Sequence, residues 1–473
     1  MLKRLLIQLR DAFEERTGLG KVLGDLANHP VPPDTGWWYV FGSATLVALA
    51  IQVVTGMALA TAYVSSSGDA YQALEFITNQ ALLGNLLRGM HYFGASAMVL
   101  LVGIHMAQVF LMGCYKYPRE VNWLTGVVLL FLTLGMGFTG QLLRWDQNAV
   151  WSVMVGAQQA GRTPIIGDAL AYFILGGQTL GGATLSRFFA AHVFFIPAVI
   201  FLIVAIHLYL VIHDGISEPP VAGEPVDPAT YRSRYQKLIK ERGVSFWPDV
   251  AWRDAVAALL VVASVVLLAW IVGPPQLDPP PDPSALARDP RPDWYLVWYY
   301  AVLALIPHGL TTWVILLAPL IGILVLISVP FISNRGERHP LRRPWAIGAV
   351  LMIVMMIATL WIEGTRAPWS PDLDAKPLPA HVVGTTTGPL AAAAKLFYDR
   401  GCEYCHQIDG YGGKRGPDLT YIGDRLAKSQ IVITIMNGGY NMPAYASVLT
   451  PEEVEDLSIF LSARKRGYSA AAR

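Results

Sequence analysis

The sequence predicts an all-α protein, a bundle of seven transmembrane helices followed by a small soluble helical domain, and three observations carry that prediction. Of 473 residues 54% are apolar and only 15% charged, with a mean hydropathy of +0.43, the composition of a polytopic membrane protein. Apolar stretches long enough to cross a bilayer recur seven times before residue 365. After about residue 388 the chain changes to polar, turn-rich segments with helix signals. A net charge of +1 implies nothing about nucleic acid, and no basic cluster interleaved with aromatics suggests such a partner, so none is expected. With Cys402 and Cys405 in one motif and Cys114 alone near a helix end, a disulfide framework is excluded.

Residues 1–30 read as an amphipathic surface helix. Leu2, Leu5, Leu6, Leu9 and Phe13 recur at helical spacing among Lys3, Arg4, Arg10 and Arg16, which suits an anionic membrane surface, and the long apolar core of a cleaved signal peptide is not seen there. Spans are expected at about 37–63, 88–113, 125–143, 187–212, 253–272, 312–332 and 345–361. The connections after the second, fourth and sixth carry Lys116 and Arg119, then Arg232, Arg234, Lys237, Lys240 and Arg242, then Arg335, Arg338, Arg342 and Arg343. By the positive-inside rule these loops and the N-terminus lie in the cytoplasm, and everything after Trp361 lies outside. Pro368, Pro371, Pro377 and Pro379 mark a linker over 366–387 into a domain of residues 388–473.

Four histidines organise the membrane part. His91 and His105 are fourteen residues apart in the second span, and His192 and His207 fifteen apart in the fourth. Each pair therefore spans roughly 21 to 23 Å of helix and falls within roughly 60° of one face. Two such helices side by side make two bis-histidine sites stacked across the bilayer, with His91 and His192 near the outer face and His105 and His207 near the inner one. Satisfied core histidines are the competing explanation, but four at matched depths point to haem ligation. Gly42 and Gly56 in the first span, and Gly126 and Gly140 in the third, repeat the fourteen-residue interval. Glycine lets a flat macrocycle approach the backbone, whereas helix packing through small residues is the alternative.

The segments NHPVPPDTGWWYVFGS, GNLLRGMHYFGAS, TLSRFFAAHV, HDGIS and HPLRRPWA resemble cytochrome b of the cytochrome bc complexes, over about residues 25 to 365. The His192–His207 interval and the seven spans resemble the cytochrome b6 plus subunit IV type, here fused. The resemblance implies a four-helix dihaem domain over 31–215, a cytoplasmic loop over 216–250 and a three-helix domain over 251–365. It also implies a low-potential b haem on His91 and His192 and a high-potential b haem on His105 and His207, both non-covalent. Arg88 and Arg187 match positions that pair with propionates of the outer haem, and carboxylates at the edge of a low-dielectric slab need cations. Interfacial arginines that snorkel are the alternative.

Pro292, Asp293, Trp294 and Tyr295 resemble the PEWY signature of the quinol-oxidation site, with aspartate replacing glutamate. The family's chemistry needs a carboxylate that accepts a proton as quinol loses electrons, with Trp294 and Tyr295 beside it. A turn capped by an aspartate is the plain alternative. Val40 stands where b6 proteins carry the cysteine for an additional haem, so a third membrane haem is not expected. Gln108 stands where many cytochromes b have an arginine near the inner haem, and His213 and Asp214 are candidate proton donors at the inner quinone site.

Cys402, Glu403, Tyr404, Cys405 and His406 form a C-x-x-C-H haem-attachment motif: two thiols add to the haem vinyls and the adjacent histidine binds iron. Zinc would need two further ligands at suitable spacing, and none follows. A helix over 389–401 delivers the motif, and Thr450 with Glu453 forms a capping box for a last helix to about Arg464. Gly416, Pro417, Asp418, Leu419 and Asn441, Met442, Pro443, Ala444, Tyr445 resemble the class I cytochrome c pattern, which implies Met442 as sixth ligand, with Met436 as the fallback.

These expectations combine into the cytochrome b/c fusion subunit of a proton-translocating quinol:cytochrome c oxidoreductase of the respiratory chain. It carries two b-type haems and one covalent c-type haem, in a multi-pass protein of a bacterial cytoplasmic membrane. Implied partners are quinol and quinone, a separate Rieske iron–sulfur protein, a soluble or membrane-bound cytochrome c acceptor and a second copy of the complex. A dihaem b anchor that relays electrons without bifurcation is one alternative, and a transporter with histidine proton relays is another.

Overall fold

The computed structural model of the chain describes residues 2–177, 179–282, 291–366, 375–413, 416–438, 442–446 and 448–466. Among them seven helices are long and apolar enough to cross a membrane: Trp37–Ala60, Gly84–Leu111, Glu120–Leu142, Gly182–Asp214, Phe246–Ile271, Thr311–Ile332 and Pro344–Arg366. Every expected span is present. Several begin earlier than hydropathy suggests, because polar first turns such as Asn85 and Asp249 are helical yet lie outside the apolar window. Within each span the backbone hydrogen-bonds to itself, as a bilayer requires. The sixth and seventh spans bury little, leaving Leu317, Leu320, Ile321, Leu324 and Leu351 facing outward, as lipid-facing side chains must.

The second span packs on the first and fifth, the third on the fourth, and the sixth on the third. Close approach of the second and fifth is permitted by Gly89, where a Cβ would sit 3.0 Å from that of Ala269. Beyond the third span, helices Gln147–Gly161 and Gly167–Leu175 form a hairpin over a core of Leu142, Trp145, Val153, Met154, Leu175 and Leu185. Asp146 starts the hairpin by accepting the Ala149 N–H at 2.8 Å, an N-cap that satisfies an otherwise orphan donor.

At the opposite end the cationic loops are knitted together rather than left in solvent. Arg338 pairs with Glu218 at 2.8 Å, Lys116 donates to the Ser333 and Arg335 carbonyls at 2.6 Å, and Arg119 donates to Tyr231 Oη at 2.7 Å. A two-stranded antiparallel pair, Pro30–Val31 with Val244–Ser245, ties the N-terminal segment to the loop before the fifth span. The N-terminal helix runs Leu2–Thr17 and is followed by Leu19–Ala27. The side chains of Leu2, Lys3, Leu5, Leu6, Leu9 and Arg10 lie outside the described residues, as do Pro368 and Pro371 of the linker.

The C-terminal domain packs helices Pro389–Asp399, Lys428–Asn437 and Pro451–Ser462 around Phe397, Ile431, Leu457 and Phe460. The capping box forms as expected: Glu453 N–H donates to Thr450 Oγ1 at 3.3 Å and Thr450 N–H to Glu453 Oε2 at 2.9 Å.

Candidate functional site

His91 and His192 meet in the bundle with ring centroids 6.3 Å apart and planes at 77°. Two metal–imidazole bonds of about 2.0 Å, plus the distance from each nitrogen to its own ring centre, give about this separation, so the rings fit either side of one metal atom. At the second level His105 lies within Coulombic range of His207. The four glycines each face one of these rings. A Cβ on Gly140 would sit 2.6 Å from His192 Cε1, on Gly56 3.2 Å from His91, on Gly42 3.3 Å from His105, and on Gly126 3.7 Å from His207. A side chain at Gly140 would displace its histidine outright.

Three threonines, unremarked in the sequence, hold the histidines. Thr55 Oγ1 lies 2.9 Å from His91 Nδ1, Thr125 Oγ1 2.8 Å from His207 Nδ1 and Thr139 Oγ1 3.1 Å from His192 Nδ1. Each hydroxyl already donates its proton to a carbonyl of its own helix, Ile51, Asn122 and Gly135 respectively. Its lone pair must therefore accept from the histidine. That assigns Nδ1–H and leaves Nε2 unprotonated, the form that binds a metal. A sequence signal existed: each threonine directly precedes one of the glycines. At the fourth level-mate Phe41 precedes Gly42, and among the described residues His105 Nδ1 is buried with no hydrogen bond. Gln108 follows one turn later, buried, with Nε2 3.1 Å from Met112 Sδ. Val40 is likewise buried, in the first turn of its span.

The fifteen-residue interval also has a structural cause. His192 lies in a π-turn, Ala191–Phe195, next to Pro197. Proline has no N–H for the Val193 carbonyl and its ring crowds that carbonyl, which widens the turn by one residue. The extra residue is absorbed, so His192 and His207 keep the face relation that fourteen residues give His91 and His105.

Near the first level, the segment Pro292 to Tyr295 packs on the third span. A Cβ at Gly137 would lie 2.5 Å from Tyr295 Oη, one turn before the glycine that faces His192. Tyr295 Oη donates to Asp293 Oδ2 at 3.1 Å, and Trp294 Nε1 donates to Ser96 Oγ of the second span at 3.1 Å. Burial, and then the Asp293 carboxylate, push the Tyr295 phenol up, so it remains a donor. Arg88 is buried and donates to Thr78 Oγ1 at 3.1 Å and the Pro275 carbonyl at 2.8 Å. Arg187 is exposed on Phe173, donating to its carbonyl at 2.9 Å. At the other end His213 Nδ1 lies 3.1 Å from Asp214 Oδ1 in an open cleft with His29, Tyr231 and Tyr235.

In the C-terminal domain His406 Nδ1 donates to the Pro417 carbonyl at 2.9 Å, again leaving Nε2 for a metal, and a Cβ on Gly416 would lie 2.5 Å from its ring. Met442 and Met436 both pack against the domain core, while Asn441 lies outside the described residues. Glu403, between the cysteines, is fully buried and neither carboxyl oxygen has a hydrogen-bond partner. Burial pushes this carboxyl from 4.5 up to about 7. The folded domain thus holds the proton more tightly than the unfolded chain, and the stability this gives is full below 4.5 and lost as pH rises through about 7. Glu403→Gln is expected to raise the melting temperature by several degrees at about pH 8 and to change it little at about pH 4.5. Calorimetry giving equal shifts at both pH values would remove Glu403 as the titrating group.

Family models match three stretches: Cytochrome b/b6/petB over residues 26–215, Cytochrome b(C-terminal)/b6/petD over 280–374, and Cytochrome C oxidase, cbb3-type, subunit III, over 389–461. The chain is 39% identical over 223 residues to the menaquinol:cytochrome c reductase cytochrome b subunit of Bacillus subtilis, covering 46% of this chain and 100% of that protein. It is 40% identical over 209 residues to cytochrome b6 of Heliobacterium mobile, covering 44% and 98%. A solved structure titled hyperthermophilic respiratory Complex III is similar with a TM-score of 0.64 and 25% identity, over 83% of this chain and 96% of that one.

Proposed function

The chain belongs to the cytochrome b/b6 family, with a cytochrome c domain at its C-terminal end, and from that premise we propose that it oxidises quinol at an outer site and passes electrons to an inner quinone while protons cross the membrane. It is an electron-transport subunit of a quinol:cytochrome c reductase-like complex. One observation carries the finer reading: successive turns of the third span, at Gly137 and Gly140, present Tyr295 of the Asp293 segment and the His192 ring on one face. A quinol held by the first would lie next to the second.

In this reading His91 with His192, and His105 with His207, hold two non-covalent b haems, and Cys402, Cys405 and His406, with Met442, hold one covalent c haem. When bound, the b haems supply a one-electron path across the bilayer and the c haem an electron acceptor outside it. Asp293 accepts a proton from quinol, and Tyr295 orients the carboxylate by donating to Oδ2. Gly42, Gly56, Gly126 and Gly140 keep the space beside each ring clear, and Thr55, Thr125 and Thr139 fix the histidine tautomers. In this reading 31–215 and 251–365 form the membrane part and 388–473 the outer domain, and family matches over 26–215, 280–374 and 389–461 support that division. Asp282, on the loop that Gln147 holds, lies within electrostatic range of Arg400 and Tyr445, which supports the c domain lying at the quinol-oxidising end. The loops with Lys116, Arg119, Arg338 and Arg343 then face the cytoplasm of a bacterial cell, with the N-terminus. A Rieske protein, a cytochrome c acceptor and a second copy of the complex complete the assembly.

Haem content tests this. Acid acetone is expected to extract two b haems per chain and leave one c haem on the polypeptide, measured as pyridine haemochromes. A covalent haem that survives replacement of both Cys402 and Cys405 by serine would contradict the assignment, as would a preparation with one b haem.

A further inference from the structure

Arg144 has no role in the chemistry derived above. It sits at the end of the third span, in the turn after Gly140, with its side chain 18% exposed. Its Nε lies 3.4 Å from Asp146 Oδ2, and Nε and Nη2 are both buried without a hydrogen-bond partner. Asp146 itself is occupied, since Oδ1 accepts from Ala149 N–H at 2.8 Å and Oδ2 from Asp278 N–H at 3.3 Å. The backbone around Arg144 is pinned. Tyr63 donates to the Leu143 carbonyl at 2.8 Å, Trp145 Nε1 donates to the Ser67 carbonyl at 3.0 Å, and Trp145 takes a left-handed φ of 48° that a bulky residue adopts only when its surroundings compel it.

Charge gives the guanidinium its purpose. Arg88 and Arg144 are within Coulombic range of each other, and Arg144 is also within range of Tyr92 and Tyr295. Both cations lie near one buried carboxylate, Asp146, whose oxygens already accept backbone N–H groups, and Arg144 follows by one turn the glycine that faces the His192 ring. A guanidinium whose buried Nε and Nη2 make no hydrogen bond among the described residues, and whose ion-pair partner Asp146 is already engaged, is shaped for a further carboxylate. Arg187, the position that the family resemblance offers, is turned outward onto Phe173.

We propose that Arg144 binds a propionate of the outer b haem and holds up the potential of that haem, and that it does so in place of Arg187. The proposal rests on the reading that His91 and His192 hold that haem. A cation beside the macrocycle favours the reduced form, which carries one more negative charge. Redox titration of the intact complex, with the inner haem as internal reference, tests this. Arg144→Gln is expected to lower the outer midpoint by the equivalent of about a tenfold change in the ratio of reduced to oxidised haem, about 59 mV for one electron. Arg187→Gln is expected to leave it in place. Should Arg144→Gln fail to assemble, Asp146→Asn supplies the opposite sign, because asparagine preserves the N-cap while removing the negative charge, and the outer midpoint is expected to rise. Resonance Raman adds a direct readout: the propionate bending band moves in Arg144→Gln and not in Arg187→Gln. An outer midpoint that stays at the wild-type value in Arg144→Gln, or in Asp146→Asn where that alone assembles, overturns the proposal. An outer b band that survives His192→Leu instead overturns the haem assignment, whatever Arg144 does.

Discussion

Asp293→Asn is expected to slow quinol-dependent reduction of both the b haems and the Rieske branch by about 10²- to 10⁴-fold, the range that loss of a positioned general base produces. Asparagine keeps the size of aspartate and can still accept the hydrogen bond that Tyr295 Oη makes at 3.1 Å, so the segment keeps its shape. What it loses is the capacity to take a proton. The competing role, a turn cap, would have the carboxylate accepting backbone N–H groups of the turn that follows. Among the described residues its hydrogen-bond partner is instead the Tyr295 phenol, while the turn is closed by the Asp293 carbonyl, which accepts from Leu296 N–H at 2.8 Å. Rapid mixing with quinol, followed at the b and c bands, separates the two roles. Normal haem spectra with slow reduction, and substantial recovery in Asp293→Glu, is the expected pattern. Unchanged turnover in the asparagine variant across the pH range would remove Asp293 from the mechanism, and failure of that variant to fold would assign the cap.

His192→Leu is expected to abolish the outer b haem while the inner b haem and the c haem remain. The two rings stand 6.3 Å apart, as the two sides of one metal require, so loss of either leaves half a site. His91→Leu should give the same spectrum as His192→Leu. His105→Leu and His207→Leu should both lose the other band and leave quinol able to reduce the outer haem. Reduced-minus-oxidised spectra decide it. Loss of one and the same band from His91→Leu and His105→Leu would break the pairing.

The sequence by itself determined what depends on local pattern: seven apolar spans, histidines and glycines at matched depth, the C-x-x-C-H motif, and the Thr450–Glu453 capping box. Each is legible because a bilayer imposes length and hydropathy on every span alone, and because haem attachment and capping act within a few residues. What lies between spans was decided by tertiary packing. Thr55 reaches a histidine 36 residues away and Thr125 one 82 away, contacts that no periodicity encodes although the adjacent glycines mark the place. The one-residue difference between the two histidine intervals is explained only by the π-turn beside Pro197, which absorbs the extra residue. The resemblance offers Arg187 to the outer haem; in the structure its guanidinium lies on Phe173, while two buried nitrogens of Arg144 make no hydrogen bond among the described residues. A long side chain can swing to either side of a helix end, and only the neighbours packed around it, here Tyr63, Trp145 and Asp146, choose which.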